Sequence, residues 1–319
     1  MSLYTYDLIS HDAQIALTQF SEQFIAALTQ SPVTQWSSDL GFALTSKALK
    51  TRFPLPIDAA GYKELKGDLK YRRLGETSLE LTPKTWQDGV EELASVIEAP
   101  DWIGWTVAPA AMAAAGASLM NEIIVDLLET NASSPAHPLT GGAFFKTGIS
   151  FNVLDSSLGT FDNDLTGGGT SPTIGNIKQA KENFRAIKAA NGKPMGLRMT
   201  HVLVPAAQEE TWRDLLEQDL IIQAGTGSTF GSVDNRHKGT VQLIVSDELT
   251  DDSKWYALAL NKPGMVPWII QDDGAPEEIM RDKSSDFYKS TLKVSLAYVK
   301  RANGALALPQ CIQRWAGNA

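Results

Sequence analysis

The stretch "AANGKPMGLRMTHVLVPAAQEETWRDLL", residues 189–216, makes three structural statements in a row. Asn191 and Gly192 close a helix that begins near Ile174, because Ile174, Ile177, Ala180, Phe184 and Ile187 share one helical face and Asn-Gly is a common helix stop. Leu197 to Pro205 then reads as a strand. "AQEETWRDLLEQD" returns to helix, with Glu209 and Glu210 in its first turn, where carboxylates favour the positive end of the helix dipole.

Towards the C-terminus the elements shorten. "IIQAGTGSTFGSVDNRHKG" reads as a Gly/Ser-rich loop, and "TVQLIVSDEL", "KWYALAL" and "GMVPWII" read as strands. Residues 272–286, "DDGAPEEIMRDKSSD", hold six acidic residues against two basic. In "TLKVSLAYVKR" the residues Leu292, Val294, Leu296 and Tyr298 alternate onto one strand face. Towards the N-terminus, Ser10 to Gln30 is an amphipathic helix with Ser10 or Asp12 as cap. Leu79 and Leu81 alternate as in a strand, and Trp86 to Glu98 fits helix or strand. The longest helix is expected over Trp105 to Glu129, where Ala, Met and Leu dominate. That segment also carries Asn121, Glu122 and Asp126, which favours a buried helix over a membrane span.

Between these elements lies "GYKELKGDLKYRRLGE", residues 61–76. It is basic inside a chain of 319 residues with formal charge −9. Its apolar residues are too scattered to form a core of their own. Either it is a solvated loop, or something outside its own subunit orders it.

Composition excludes several classes. A hydrophobic content of 43% supports a substantial core and argues against disorder. The acidic balance argues against a protein whose main task is gripping a nucleic-acid backbone, though not against a local basic patch. The one cysteine, Cys311, makes no internal disulfide. The first twenty residues lack a basic region followed by an apolar run, so no signal peptide is expected.

No chemical constellation stands out. "GTGSTFG" (residues 225–231) lacks the Lys-Ser/Thr of a phosphate-binding loop, and "DNDLTGG" (162–168) lacks the acidic residue that would close a calcium loop. His11, His137, His201 and His237 are far apart in sequence, with no metal-ligand spacing. Eight tryptophans are scattered and suit core or interface anchoring. The expectation is a non-enzyme with no catalytic, metal or cofactor residues.

The order of segments resembles the Mu-like phage major head (major capsid) protein family. A "WQDGV" strand (Trp86 to Val90) leads to an Ala-rich helix ending "NEIIVDLLETN". "GGAFF" (Gly141 to Phe145) and an Asn/Asp/Gly-rich loop follow. Then come Gly192-Lys193-Pro194 and Leu203-Val204-Pro205, and more loosely Asn235 with Gly239. The histidine that the family carries shortly after its Phe pair is replaced here by Lys146-Thr147-Gly148-Ile149. The resemblance covers roughly Pro54 to the end.

The resemblance implies an α+β chain with the Hong Kong 97-like capsid fold. Residues 1–53 would be an N-terminal arm and 54–82 an extended E-loop. Residues 83–194 would form the P-domain, with a spine helix near 105–129. Residues 195–285 would form the A-domain, and 286–319 would return to the P-domain and end in a tail. It further implies hexamers and pentamers closing into an icosahedral virion shell around double-stranded DNA, assembled in the host cytoplasm. Scaffolding, portal and decoration proteins would be partners, with no membrane and no cofactor. On this reading residues 61–76 reach over a neighbouring subunit, with Lys63, Lys66, Lys70, Tyr71, Arg72 and Arg73 as contacts. Lys63, Lys66 and Lys70 are also candidates for the covalent crosslinks some relatives form. From Arg52 to Glu76 the charge is +2, so the rest of the chain holds about −11. Glu209 and Glu210, or Asp272, Asp273, Glu277 and Glu278, are candidate acidic docking surfaces. An encapsulin-like nanocompartment shell and a soluble α/β enzyme using Asp162 and Asp164 are the alternative readings.

Overall fold

In this computed structural model, residues 13–31, 33–55, 77–98, 104–152, 156–166, 172–224 and 230–316 are described. Helix α1 (Ala13–Thr29) and the short α2 (Trp36–Leu40) come first, followed by strands β1 (Phe42–Thr45), β2 (Thr51–Pro54), β3 (Ser78–Leu81) and β4 (Lys84–Leu93). The one-turn α3 (Ala94–Ile97) precedes α4 (Gly104–Thr130), the longest helix among the described residues. Short strands β5 (Ile149–Ser150), β6 (Thr160–Phe161) and β7 (Asp164–Thr166) lead to α5 (Ile174–Ala186). Then come β8 (His201–Pro205), α6 (Glu209–Glu217), β9 (Leu220–Ala224), β10 (Phe230–Asp234), β11 (Gln242–Ser246) and β12 (Lys254–Leu258). The chain continues through β13 (Trp268–Asp272), β14 (Glu277–Arg281), α7 (Asp286–Thr291), β15 (Lys293–Leu306) and β16 (Ile312–Ala316).

Two five-stranded sheets organise these elements. In the first, β15 is the central strand. Along one edge it pairs antiparallel with β4, from Lys293 opposite Leu93 to Ala302 opposite Lys84. Along the other it pairs with β13 (Trp268 opposite Leu306) and then with β14 (Glu277 opposite Val299). Between Asp272 and Glu277 the register slips by two residues, which makes a bulge. β1 adds in parallel to β13. The second sheet has the order β11-β8-β12-β16-β7, with parallel pairs at both ends and antiparallel pairs in the middle.

Helix α4 belongs to both sheets. Its second half buries Met120, Ile123, Ile124, Val125 and Leu128 in the core between the sheets, against Trp36, Leu203, Tyr256, Trp268 and Ile312. Each such side chain contributes roughly 1.5–3 kcal/mol by leaving water. Its first half puts Met112 and Ala113 against α1 and the β15 residues Val294, Leu296 and Tyr298. The small residues matter here, because Ala13 and Ala16 on α1 and Ala113 on α4 let the backbones approach. Gly304 plays the same part under α4: a Cβ there would lie 2.8 Å from the Ile124 Cδ1.

Polar residues pin the junction. Asn121, buried in α4, donates to the Thr34 carbonyl (2.9 Å) and to Glu248 (3.0 Å). Glu248 also accepts from Ser246 (2.7 Å). By length and composition Val107–Thr130 could cross a membrane. Instead its apolar side is buried inside the protein, and Asn121 finds partners there that a bilayer core would not offer. Asn131 closes α4 at φ 44° and exchanges two hydrogen bonds with the Phe145 backbone (2.8 and 2.9 Å). That clamp holds Phe144 and Phe145, the aromatic pair of "GGAFF", inside the core.

Several expectations change. The helix expected to end at Asn191 stops at Ala186, because Ile187 turns extended and is buried in the second sheet's core. The segment read as a loop after Leu220 is the antiparallel hairpin β9–β10, whose tip, residues 225–229, lies outside the described residues. Trp86 to Glu98 resolves into strand and then a helical turn. Leu292 is not on the buried face of β15; it caps α7 at φ 59° and is exposed. Residues 268–281, expected with 195–265, belong to the sheet centred on β15, and β16, expected in the C-terminal tail, inserts into the other sheet.

Candidate assembly surfaces

The hairpin β2–β3 closes the segment that contains residues 61–76. Thr51 to Pro54 pair antiparallel with Leu81 to Ser78, and Lys50 and Arg52 both face Glu80. Leu55 and Leu79 are buried against Leu139, Ile269, Leu308 and Cys311, and Asn303 donates to the Thr82 carbonyl (2.8 Å). The root of the hairpin is therefore fixed to the first sheet. Lys63, Lys66, Lys70, Tyr71, Arg72 and Arg73 lie beyond it, outside the described residues. At the root, Phe42 and Phe53 meet edge to face (6.1 Å between ring centres), and Leu49 is 75% exposed.

From residue 13 onward the N-terminal segment begins with helix α1, which packs on its own chain. Leu17, Phe20 and Phe24 are buried against α4 and β15 of the same chain, and Phe24 stacks on Tyr298.

The acidic candidates fall on two separate elements. Glu209 and Glu210 lie on α6, which packs Trp212 and Leu216 into the core of the second sheet. Glu209 is engaged by Arg213 (2.7 Å), while Glu210 is exposed. The other four flank the bulge in the first sheet. Asp272 accepts from the Gly274 N–H (3.0 Å) and Asp273 from the Arg301 N–H (3.1 Å), so both serve to shape the bulge. Glu278 accepts from Ser21 on α1. Glu277 is exposed and has no ion pair among the described residues. It shares the outer face of the sheet with Ile279 and Val299. Glu210 and Glu277 are thus the carboxylates left free to meet something else.

The groups weighed for chemistry are used internally. Asp164 holds Arg314 (2.5 Å), which lies over the Phe145 ring, and Asp162 accepts from the Gly148 N–H (2.7 Å). His137 places Nε2 3.1 Å from the Leu306 carbonyl and Nδ1 3.3 Å from the Leu139 N–H, which fits a neutral ring donating from Nε2. Burial lowers its pKa to about 4. Burial likewise lowers His201, whose Nδ1 meets Thr200. Burial pushes the Cys311 thiol up to about 12. No three His, Cys, Asp or Glu side chains among the described residues are placed to share a metal.

Asn235 and Gly239, matched only loosely in sequence, have a joint role. The Asn235 side chain donates to the Leu215 and Gln218 carbonyls (2.8 and 2.9 Å), and the Gly239 N–H bonds Leu216 (3.1 Å). Gly239 has φ +63°. Together they cap the C-terminus of α6 from another segment, a pairing that only the fold reveals.

Comparison with known structures finds the same fold in several solved chains. The chain aligns with a Mycobacterium phage Patience structure at TM-score 0.53, with 11% identity, over 98% of this chain and 91% of that one. It aligns with the capsid of a native GTA particle at TM-score 0.54, with 10% identity, over 91% and 93%. With the procapsid of bacteriophage JBD30 the TM-score is 0.50 and the identity 13%, over 95% and 74%. The fold is the Hong Kong 97-like capsid fold. A family described as phage capsid protein matches residues 91–309, and the chain belongs to that family. Against the major capsid protein of Escherichia phage Mu the identity is 32% over 77 residues, so the match spans about a quarter of that relative's length, 24% of each protein.

Proposed function

We propose that this chain is the major capsid protein of a Mu-like phage or prophage, self-assembling through hexamers and pentamers into an icosahedral head around double-stranded DNA. The observation that carries the reading is the family match over residues 91–309, which runs through both sheets and α4. The protein's role is structural, and the virion is its destination after assembly in the host cytoplasm, with scaffolding, portal and decoration proteins as partners.

In this reading residues 54–82 act as the E-loop. The root β2–β3 is anchored in its own subunit, and the scattered apolar residues of the basic segment suit burial on a neighbour better than a core of their own. Glu277 on the open face of the first sheet, and Glu210 on α6, are the docking carboxylates. Complementary charge of this kind fixes register and partner choice more than raw affinity. Stability comes from repetition: modest contacts made several times by every subunit sum to a firm shell.

Negative-stain electron microscopy of the protein co-expressed with its neighbouring genes tests this. Uniform polyhedral shells or ring-shaped capsomers are expected. A monodisperse monomer that never assembles under those conditions would overturn the proposal, and shells that hold only protein cargo would transfer it to the nanocompartment class.

A further inference from the structure

Helix α5 and the turn before β11 bring cations together in an otherwise acidic chain. Lys178, Lys181 and Arg185 are spaced three and four residues apart, so they share one stripe of α5, alongside the buried Ile177, Ala180 and Phe184. Lys181 is half-buried. Its Nζ lies 2.7 Å from Thr240 Oγ1 and 3.1 Å from His237 Nδ1. With Lys181 donating, His237 is a neutral ring whose remaining N–H is on Nε2. Arg236 and Lys238 flank that histidine and are exposed.

Neutralisation is sparse. Lys178 has Glu182 at 3.9 Å, and Lys238 pairs with the exposed Asp219. Lys181 and Arg185 make no ion pair among the described residues. Burial and the Arg185 charge lower the Lys181 pKa, and burial followed by Lys181 and Lys178 lowers that of His237. Positive charge is thus crowded to the point of self-repulsion, on a rigid base. The turn is pinned through Asn235 to the end of α6, and α5 is pinned through Phe184 to the core.

A cluster like this gains from an oxygen-rich anion. A guanidinium fork, an ammonium and an imidazole N–H offer several donors in one place, which matches a phosphate group. We infer that Lys181, Arg185 and His237, with Lys178 at the rim, form a binding site for phosphate groups, taken from the backbone of nucleic acid or from free phosphate. The free-phosphate arm stands on the cluster alone. The nucleic-acid arm rests on the capsid reading, in which double-stranded DNA is the polyanion at hand.

The test uses the full chain in a low-salt buffer free of phosphate. Inorganic phosphate is titrated in while the His237 ring resonances are followed by NMR. In parallel, a short DNA duplex is titrated by fluorescence anisotropy across a salt series. Phosphate is expected to shift His237 saturably. The double variant Lys181→Gln/Arg185→Gln should weaken this at least tenfold with its thermal unfolding unchanged, while Lys181→Arg retains it. If DNA supplies the phosphate, the slope of log affinity against log salt becomes shallower by about two in the double variant. Phosphate binding with no change in the DNA slope assigns the site to free phosphate. Absence of any His237 response, together with DNA binding identical in wild type and double variant, overturns the proposal. So does an assembly defect of the charge-reversed variant Lys181→Glu/Arg185→Glu that Glu210→Lys rescues without phosphate binding, because the cluster's ligand would then be a second copy's carboxylates.

Discussion

The two sheets bury their strands differently. In the second sheet, β8 and β12 are buried residue after residue. Val202, Val204, Trp255 and Ala257 face α5 and α6, while Leu203, Tyr256 and Leu258 face α4. Trp255 stacks on Trp315 with 4.9 Å between ring centres and meets Trp212 at the same distance. In the first sheet β15 alternates buried and half-exposed residues along most of its length. One face carries α1 and α4. The other is covered by Leu79 and its neighbours at the Ala305 end and is open around Ala297, Val299 and Ile279. A strand covered on both sides is committed to its own fold. A strand covered on one side keeps surface for another molecule.

Trp255→Ala should produce the largest effect, about 3–5 kcal/mol of destabilisation by urea unfolding, because it empties the middle of an aromatic stack. A loss below 1 kcal/mol would mean the second sheet is not the rigid partner in this comparison.

The next effect is in pH. His137 is held neutral with a pKa near 4 against an ordinary 6.5. A folded-state pKa below the unfolded one means the unfolded chain binds the proton first. Stability is therefore full above about pH 6.5, falls as pH drops towards 4, and levels off below. Full expression of that shift amounts to about 3 kcal/mol. His137→Gln should remove that part of the pH dependence, and an unchanged profile would remove His137 from the account. The segment between the sheets is what this measurement probes, since His137 ties it to the end of β15.

Gly304→Ala should cost about 1–3 kcal/mol, since Ile124 and Ile123 must move. A neutral result would show that α4 rides loosely on the first sheet. Glu277→Lys should change monomer stability by less than about 0.5 kcal/mol, as expected of an exposed position. Its effect belongs in assembly, where fewer closed particles are expected by electron microscopy. Undiminished assembly would take Glu277 off the docking surface.

Much of this was legible in the sequence. α4 could be read from its Ala, Met and Leu content, and β8 and α6 from the stretch at residues 197–217. What was missed depends on distant partners. β9 and β10 are rich in Gly and Ser near their turn and look like loop until each supplies the other's hydrogen bonds. β14 reads as an acidic surface run, because a strand at the edge of a sheet with one open face needs no apolar alternation. β16 takes its place between β12 and β7, strands far from it in sequence. The basic cluster was invisible for the same reason: Lys181 and His237 meet only after α5 and the β10–β11 connection come together. The basic segment 61–76, which raised the functional question, lies outside the described residues.

One detail of β4 bears on how such a chain behaves in a crowd. The N–H of Gly89 is taken by the side chain of Asp88 (2.8 Å), and that of Leu93 by Glu92 (2.9 Å). β4 is the long outer strand of its sheet, where unclaimed N–H groups invite a foreign strand to add on. Here the strand's own carboxylates occupy those donors and surround them with negative charge. Copies of the chain made side by side in great number thus have one less route to fibrous stacking, and the contacts that remain open to them are the specific ones.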